Sequence, residues 1–313
     1  MFRSLHVALI AANGLLLAAI VAVLMPSTRA SAEFHELAPI DVGWSPPSWH
    51  PNADALWVLE SLDGDGVAER GPKVRARGAI LADLDSGEVL WSHGADDLRP
   101  VASLTKLVSA LTLASTRANL DAPLCVSPAQ WPTRSGARSK FETGHCYAGW
   151  DFLGAALVKS DNRGAMGLAA LAAEPYDSFV ERMGEVSASL RMSAPGWADP
   201  AGLEDDNLAT ARDMLKALVA VSEHPVLAMV ASSHEWRMDD EGGHRWLGST
   251  NRLVSTYDTV AAKTGYTDTA GWCFAGVVRT KSGRRLAGVV LGARGKQGRF
   301  DDFRNMIVWA EAR

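Results

Sequence analysis

The stretch ASLTKL, Ala102 to Leu107, places a serine and a lysine three positions apart at the head of an apolar run. Leu104, Leu107, Val108 and Leu111 recur at helical spacing, so RPVASLTKLVSALTLAST (99–116) predicts a helix with one buried face. Residues i and i+3 share a helix face, which puts Lys106 one turn beyond Ser103 and within reach of its hydroxyl. An isolated Ser-x-x-Lys arises by chance roughly once in a chain of this length. Taken alone, it reads as a helix cap and a surface lysine.

The flanking sequence sets the architecture. Before the helix, GAILADLDSGEVLWSHG (78–94) gives two short strands around the turn Asp85-Ser86-Gly87. After it, roughly 104–225 is mostly helical, and Thr210 with Asp213 forms a capping-box pair in NLATARDMLKALVAV (207–221). Then TVAAKTGYTD (259–268), GWCFAGVVRT (271–280) and RRLAGVVLGA (284–293) read as strands, with Lys281-Ser282-Gly283 as a turn. FRNMIVWAEA (303–312) reads as a closing helix. This order predicts an α/β (α+β) fold. Its N- and C-terminal strands share one antiparallel sheet flanked by helices, with an all-helical subdomain inserted between them.

Of the 313 residues, 47% are hydrophobic and 21% charged, which is globular composition. The net charge is -5 and no long basic run is present, so nucleic acid is not an expected partner. The first 32 residues carry Arg3, an apolar run to Met25, Pro26 and the small-x-small pattern Ala30-Ser31-Ala32, with no acidic residue before Glu33. Residues 1–32 are therefore expected to be a signal peptide. The alternative is an uncleaved anchor, since 5–25 is long enough to span a bilayer and would associate the protein with the inner membrane. Either reading exports the body of the protein to the periplasm or cell envelope. Residues 33–75 read as a linker: GWSPPSWHP (43–51) is extended, and LDGDGVAERG (62–71) is a solvated turn lacking the terminal glutamate of a calcium loop.

Cys125 and Cys146 flank one polar segment and suit a disulfide in an oxidising compartment, although sequence leaves the pairing open. Cys273, in GWCFAGVV, reads as a buried thiol. There is no Cys-x-x-Cys. His234-Glu235 begins a zinc motif, but Met238 stands where its second histidine belongs. No metal and no cofactor are expected.

Two further motifs accompany the first. KSDN (159–162) puts Ser160 two residues before Asn162, and AKTGYT (262–267) puts Lys263-Thr264-Gly265 on a strand. Ser-x-x-Lys, Ser-Asp-Asn and Lys-Thr-Gly together are the set of class A β-lactamases and penicillin-binding proteins. A serine hydroxyl needs a base within hydrogen-bond reach. Lys106 acts as one only after losing a proton, which burial and a second cation such as Lys263 both favour. The backbone N–H of Ser103, at a helix start, suits an oxyanion. Separately, Ser160-Asp161-Asn162 is a helix-breaking loop and Lys263-Thr264-Gly265 a strand end. Their joint occurrence in this order favours catalysis.

From about residue 76 to 313 the chain resembles the low-molecular-mass penicillin-binding proteins, serine D-alanyl-D-alanine peptidases. ADPAGLEDDNLATARDM (198–214) and STNRLV (249–254) extend the likeness beyond the motifs. The resemblance implies a catalytic domain over 76–313, peptidoglycan stem peptides as substrate and β-lactams as ligands. It makes Ser103 the acylated nucleophile, Lys106 its base and Ser160 a proton relay to the leaving amine. Asn162, Lys263, Thr264 and Gly265 contact substrate, and the backbone N–H of Tyr266 is a second oxyanion donor. LGARGKQGRF (291–300) resembles the segment whose arginine, here Arg299, meets a terminal carboxylate; a lone arginine there otherwise reads as a solvated charge. Arg299 favours a D-Ala-D-Ala carboxypeptidase. Arg163 and the absence of a further domain after the catalytic one resemble the branch of endopeptidases that cut crosslinks. A class A β-lactamase is the rival enzyme, but Glu204 and Asn207 are spaced one residue too closely for its deacylating pair. A catalytically dead wall-binding protein has no need of Ser103, Lys106 and Lys263.

Overall fold

Strands of ten and nine residues, rich in Val and small residues, make the long members of one antiparallel sheet. In this computed structural model, residues 59–64, 71–127, 139–172, 175–193, 195–240 and 243–313 are described. The segment read as signal or anchor, most of 33–75, and residues 65–70 of the calcium-like turn lie outside them.

The first strands, β1 (Gly78–Asp83) and β2 (Glu88–His93), form the expected hairpin. A short β3 (Arg99–Pro100) leads into a 3₁₀ turn (Ala102–Leu104) that continues as helix α1 (Thr105–Ala114). Next come β4 (Pro123–Cys125), β5 (Cys146–Ala148), α2 (Gly149–Gly154), a π turn (Ala155–Lys159), α3 (Asn162–Leu171) and α4 (Tyr176–Ser189). The chain then passes through β6 (Leu208–Ala209), α5 (Ala211–Glu223), α6 (Pro225–Ala231) and the hairpin β7 (Glu235–Asp240) with β8 (Gly243–Gly248). Finally β9 (Asp258–Thr267), β10 (Gly271–Arg279), β11 (Arg285–Ala293) and α7 (Gly298–Glu311) complete the fold.

The main sheet has the order β2-β1-β11-β10-β9, so the N-terminal hairpin joins the C-terminal meander through the β1–β11 pair, in register from Gly78↔Leu291 to Asp83↔Leu286. Both faces are covered. On one, Leu81, Phe274, Val278, Leu286 and Val290 pack with Phe300, Phe303, Met306 and Ile307 of α7. A cross-strand glycine pair, Gly276↔Gly288, leaves the hollow filled by Phe303: a Cβ on either would come within about 3.2 Å of that ring. The alternate residues Ile80, Ala82, Ala275, Val277, Ala287 and Val289 are buried on the other face, where α5 packs. The capping box read from sequence is formed, with Thr210 accepting from the Asp213 N–H at 3.0 Å and Asp213 from the Thr210 N–H.

The inserted region is helical in its bulk, and α1 is buried on every side among its neighbours. The insert also carries the ribbon β4–β5, closed by a Cys125–Cys146 disulfide, which was not foreseen as strand because each arm is three residues long. Cys273 is the free, buried thiol expected. Residues 59–64, within the stretch read as a linker, are anchored. Leu59 and Leu62 are buried, Arg212 donates to the carbonyls of Leu62 and Gly64, and Lys216 pairs with Asp63 at 2.6 Å.

Truncating Phe303 empties the glycine hollow, so Phe303→Ala is expected to lower stability by about 3–5 kcal/mol. Thermal or urea unfolding of the variant measures the loss.

Candidate active site

Ser103 lies in the 3₁₀ turn at the start of α1, and the turn is entered by Ala102 at a positive φ of 50°. Gly202 explains how the neighbouring loop comes so close: its φ is +73° and a Cβ there would overlap the Ala102 carbonyl. Lys106 follows one turn later. It is fully buried, and its Nζ donates to Ser103 Oγ at 2.8 Å, Asn162 Oδ1 at 2.9 Å and the Ala201 carbonyl at 2.6 Å. Ser103 Oγ also donates to Ala201 O at 3.3 Å.

Helix α2 widens into the π turn, and that turn ends at Ser160 with a left-handed φ of 62°. Such a bulge re-aims a side chain that a regular helix would point elsewhere. Asp161 then caps α3, accepting from Gly164 N–H at 3.2 Å, and its carboxylate also holds Ser139 Oγ at 2.8 Å and Lys140 N–H at 2.7 Å. Within this motif Asp161 fixes the loop, while Ser160 and Asn162 face the lysines.

Strand β9 supplies the third side. Lys263 is buried and donates to Ser160 Oγ at 2.7 Å, and Thr264 Oγ1 donates to Thr250 Oγ1 at 2.7 Å. Gly265 lets the strand approach the turn that carries Ser103, since a Cβ would stand 3.0 Å from Val101 O and 3.3 Å from Leu104 N. Tyr266 is exposed, stacks on Trp272 with ring centroids 4.0 Å apart, and donates to Asp268 at 2.6 Å. Arg299, on α7, is buried rather than solvated. Its Nη1 donates to the carbonyls of Gly265 at 2.9 Å and Cys273 at 3.3 Å, and its guanidinium lies over Trp272 and Phe300. Its Nε has no partner.

Burial is the main electrostatic force here. It brings Lys106 down to about 7, against opposing pulls from Asp199 and Asp161. The expectation assigned part of this lowering to Lys263, but burial accounts for it. Lys263 is in turn held well below the ordinary lysine range by its own burial, then by the charges of Lys106 and Arg299. Burial also lowers Arg299, to about 10.

Sequence reading missed Asp199 and the Ala201 carbonyl. Asp199 is buried and gathers the N–H groups of Ala201 (2.7 Å), Leu203 (2.9 Å) and Glu204 (2.8 Å) and the Asn207 side chain (2.7 Å). That loop presents Ala201 O to Lys106. Asn207 therefore holds a loop, and GLEDDN has a structural use where the rival enzyme would need a water-activating pair. An Asp-Pro-x-Gly turn was the available signal. Thr250 was also unread. Arg163, used to weigh the branches, donates to the Phe141 carbonyl at 2.7 Å.

The sequence profile of the D-alanyl-D-alanine carboxypeptidase family matches residues 65–295. A D-alanyl-D-alanine endopeptidase of Escherichia coli (strain K12) is 31% identical over 245 residues, covering 77% of this chain and 78% of that protein. Among solved structures, a D-alanyl-D-alanine carboxypeptidase from Mycobacterium tuberculosis H37Rv superposes with a TM-score of 0.70 at 26% identity, covering 80% of this chain and 95% of that one. Penicillin-binding protein D2 from Listeria monocytogenes, in its cefotaxime-bound form, superposes with a TM-score of 0.68 at 25% identity, covering 76% and 98%.

With Lys106 near 7, the acylation rate with penicillin is expected to rise with pH through about 7 and then level, as the amine loses its proton. Asp199 favours the charged form, so Asp199→Asn should move this limb to lower pH. Rates of covalent labelling across pH measure both.

Proposed function

Because the chain belongs to the D-alanyl-D-alanine carboxypeptidase family, we propose that Ser103 is its acylated nucleophile and Lys106 the base that activates it. The protein is a serine-type D-Ala-D-Ala carboxypeptidase acting on peptidoglycan stem peptides through an acyl-serine, and a penicillin-binding protein. The observation that carries the residue assignment is the buried Lys106, its pKa brought down to about 7 by burial, bonded to Ser103 Oγ at 2.8 Å.

In this mechanism the free amine of Lys106 takes the Ser103 proton as Oγ attacks the carbonyl of the penultimate D-Ala. The oxyanion is met by the backbone N–H groups of Ser103 and Tyr266. Collapse breaks the C–N bond, and Lys106 returns its proton to the departing amine by way of Ser160, which Lys263 holds at 2.7 Å. Water then attacks the ester and gives a proton to the free Lys106 amine, which passes it to Ser103 Oγ as the ester C–O bond breaks. Asn162, Lys263, Thr264 and Gly265 line the path of the peptide. Arg299 supports a carboxypeptidase: it is a buried cation whose hydrogen bonds go to backbone carbonyls, so its charge is available to a free terminal carboxylate.

A second reading, cleavage of D-Ala crosslinks, is favoured by the name of the Escherichia coli relative. For localisation, the N-terminal sequence supports export to the periplasm or cell envelope, with 1–32 removed or 5–25 retained in the inner membrane.

Purified muropeptides separate the two reactions. Release of D-Ala from pentapeptide monomers is expected; conversion of crosslinked dimers to monomers without D-Ala release would replace that reading with the endopeptidase. Ser103→Ala should abolish both reactions and covalent labelling by fluorescent penicillin, and a labelled mutant would sink the nucleophile assignment.

A further inference from the structure

The ribbon β4–β5, the first turn of α2 and strand β7 enclose an open cleft of about 420 Å³, made of residues that the catalytic mechanism does not use. Two tryptophans form its walls. Trp150 is half-buried, and its Nε1 donates to Asp121 at 3.1 Å. Trp236 lies against Gly154, where a Cβ would overlap its indole ring. The Trp236 N–H is buried against Gly154, and the Trp236 side chain hydrogen-bonds Asp151. Asp151 is buried at the junction of the walls and takes backbone hydrogen bonds from Ala148 on one side and Asp239 on the other. Arg237 and Asp239 pair at 3.0 Å on the rim, both exposed.

The chemistry of this lining selects its ligand. Rigid indole faces offer apolar contact. The rim offers acceptors, Asp121 and Asp239, and a donor, Arg237. A cation would suit the indoles, but Asp239 already has Arg237 as its counter-ion and Asp121 is bonded by Trp150. An apolar peptide would bury these charged groups without new partners, which is costly. A pyranose ring has an apolar C–H face and an edge of hydroxyl and acetamido groups that both donate and accept, so it matches every element of the cleft.

We propose that this cleft is a saccharide site that holds the glycan strand of peptidoglycan, an N-acetylhexosamine ring lying on Trp150 with its polar edge between Arg237, Asp239 and Asp121. The proposal rests on the reading of the protein as a peptidoglycan peptidase. Cleft and catalytic loop share one frame. Helix α2 runs through the π turn to Ser160. Strand β8, paired with β7, reaches Lys140 O and Glu142 through Arg245, and the Lys140 N–H is held by Asp161. A glycan strand gripped there presents its stem peptides to Ser103 from a fixed side.

The test is calorimetric titration of the full-length protein with glycan strands stripped of their peptides, alongside penicillin acylation of the same preparations. The wild type should bind. Trp150→Ala and Arg237→Ala should each weaken binding by about tenfold or more while acylating at the wild-type rate. Absence of binding by a wild type that acylates normally overturns the cleft and leaves the peptidase reading intact. Unchanged binding in both variants also overturns it. Binding by a protein that penicillin fails to label would keep the cleft and discard the peptidase.

Discussion

An ammonium group taken out of water must find replacements for its hydration, or fold stability suffers by several kcal/mol. Lys106 meets this demand with three acceptors from three separate parts of the chain: the Ser103 hydroxyl, the Asn162 amide oxygen and the Ala201 carbonyl. Each acceptor then needs its own support. Asn162 is held because Asp161 caps α3 and pins 139–140. Ala201 is held because Asp199 collects the N–H groups of its loop. The turn that carries Ser103 reaches that loop only because Gly202 has no side chain. Solvating one buried cation thus fixes most of the site's geometry.

Lys263 repeats the arrangement on the sheet side, with Ser160 as its acceptor. The charge of Lys106 adds to burial in holding Lys263 low, while buried Asp199 and Asp161 pull Lys106 the other way.

The parts of this design legible in the sequence are those with local signatures. The hairpin at Asp85-Ser86-Gly87, the three C-terminal strands and the Thr210–Asp213 capping box follow from short-range pattern and were read directly. Ser103, Lys106, Ser160, Asn162 and Lys263 were found because each sits in a short motif of reactive types, and the structure brings them together. Asp199 was missed because its work is done on backbone N–H groups, which any residue supplies. The left-handed turn at Ser160 was missed because it comes from a π bulge in an apolar helix, with no glycine to mark it. Arg299 was mapped to a terminal carboxylate through the resemblance, with a solvated charge as the alternative; its burial was not legible because its seat, between Trp272 and Phe300, joins β10 to α7.

The pairing of β1 with β11 has a consequence for the order in which the protein comes into being. Ser103 and Lys106 lie in the insert and are synthesised long before β9, β10 and β11. Until β11 arrives β1 has only β2 as a partner, so closure of the central sheet is a late, long-range event. Lys263 and the strand that lines the substrate path arrive only with that closure. A half-made chain therefore carries Ser103 without the groups that complete its site, and hydrolytic competence appears together with the finished sheet.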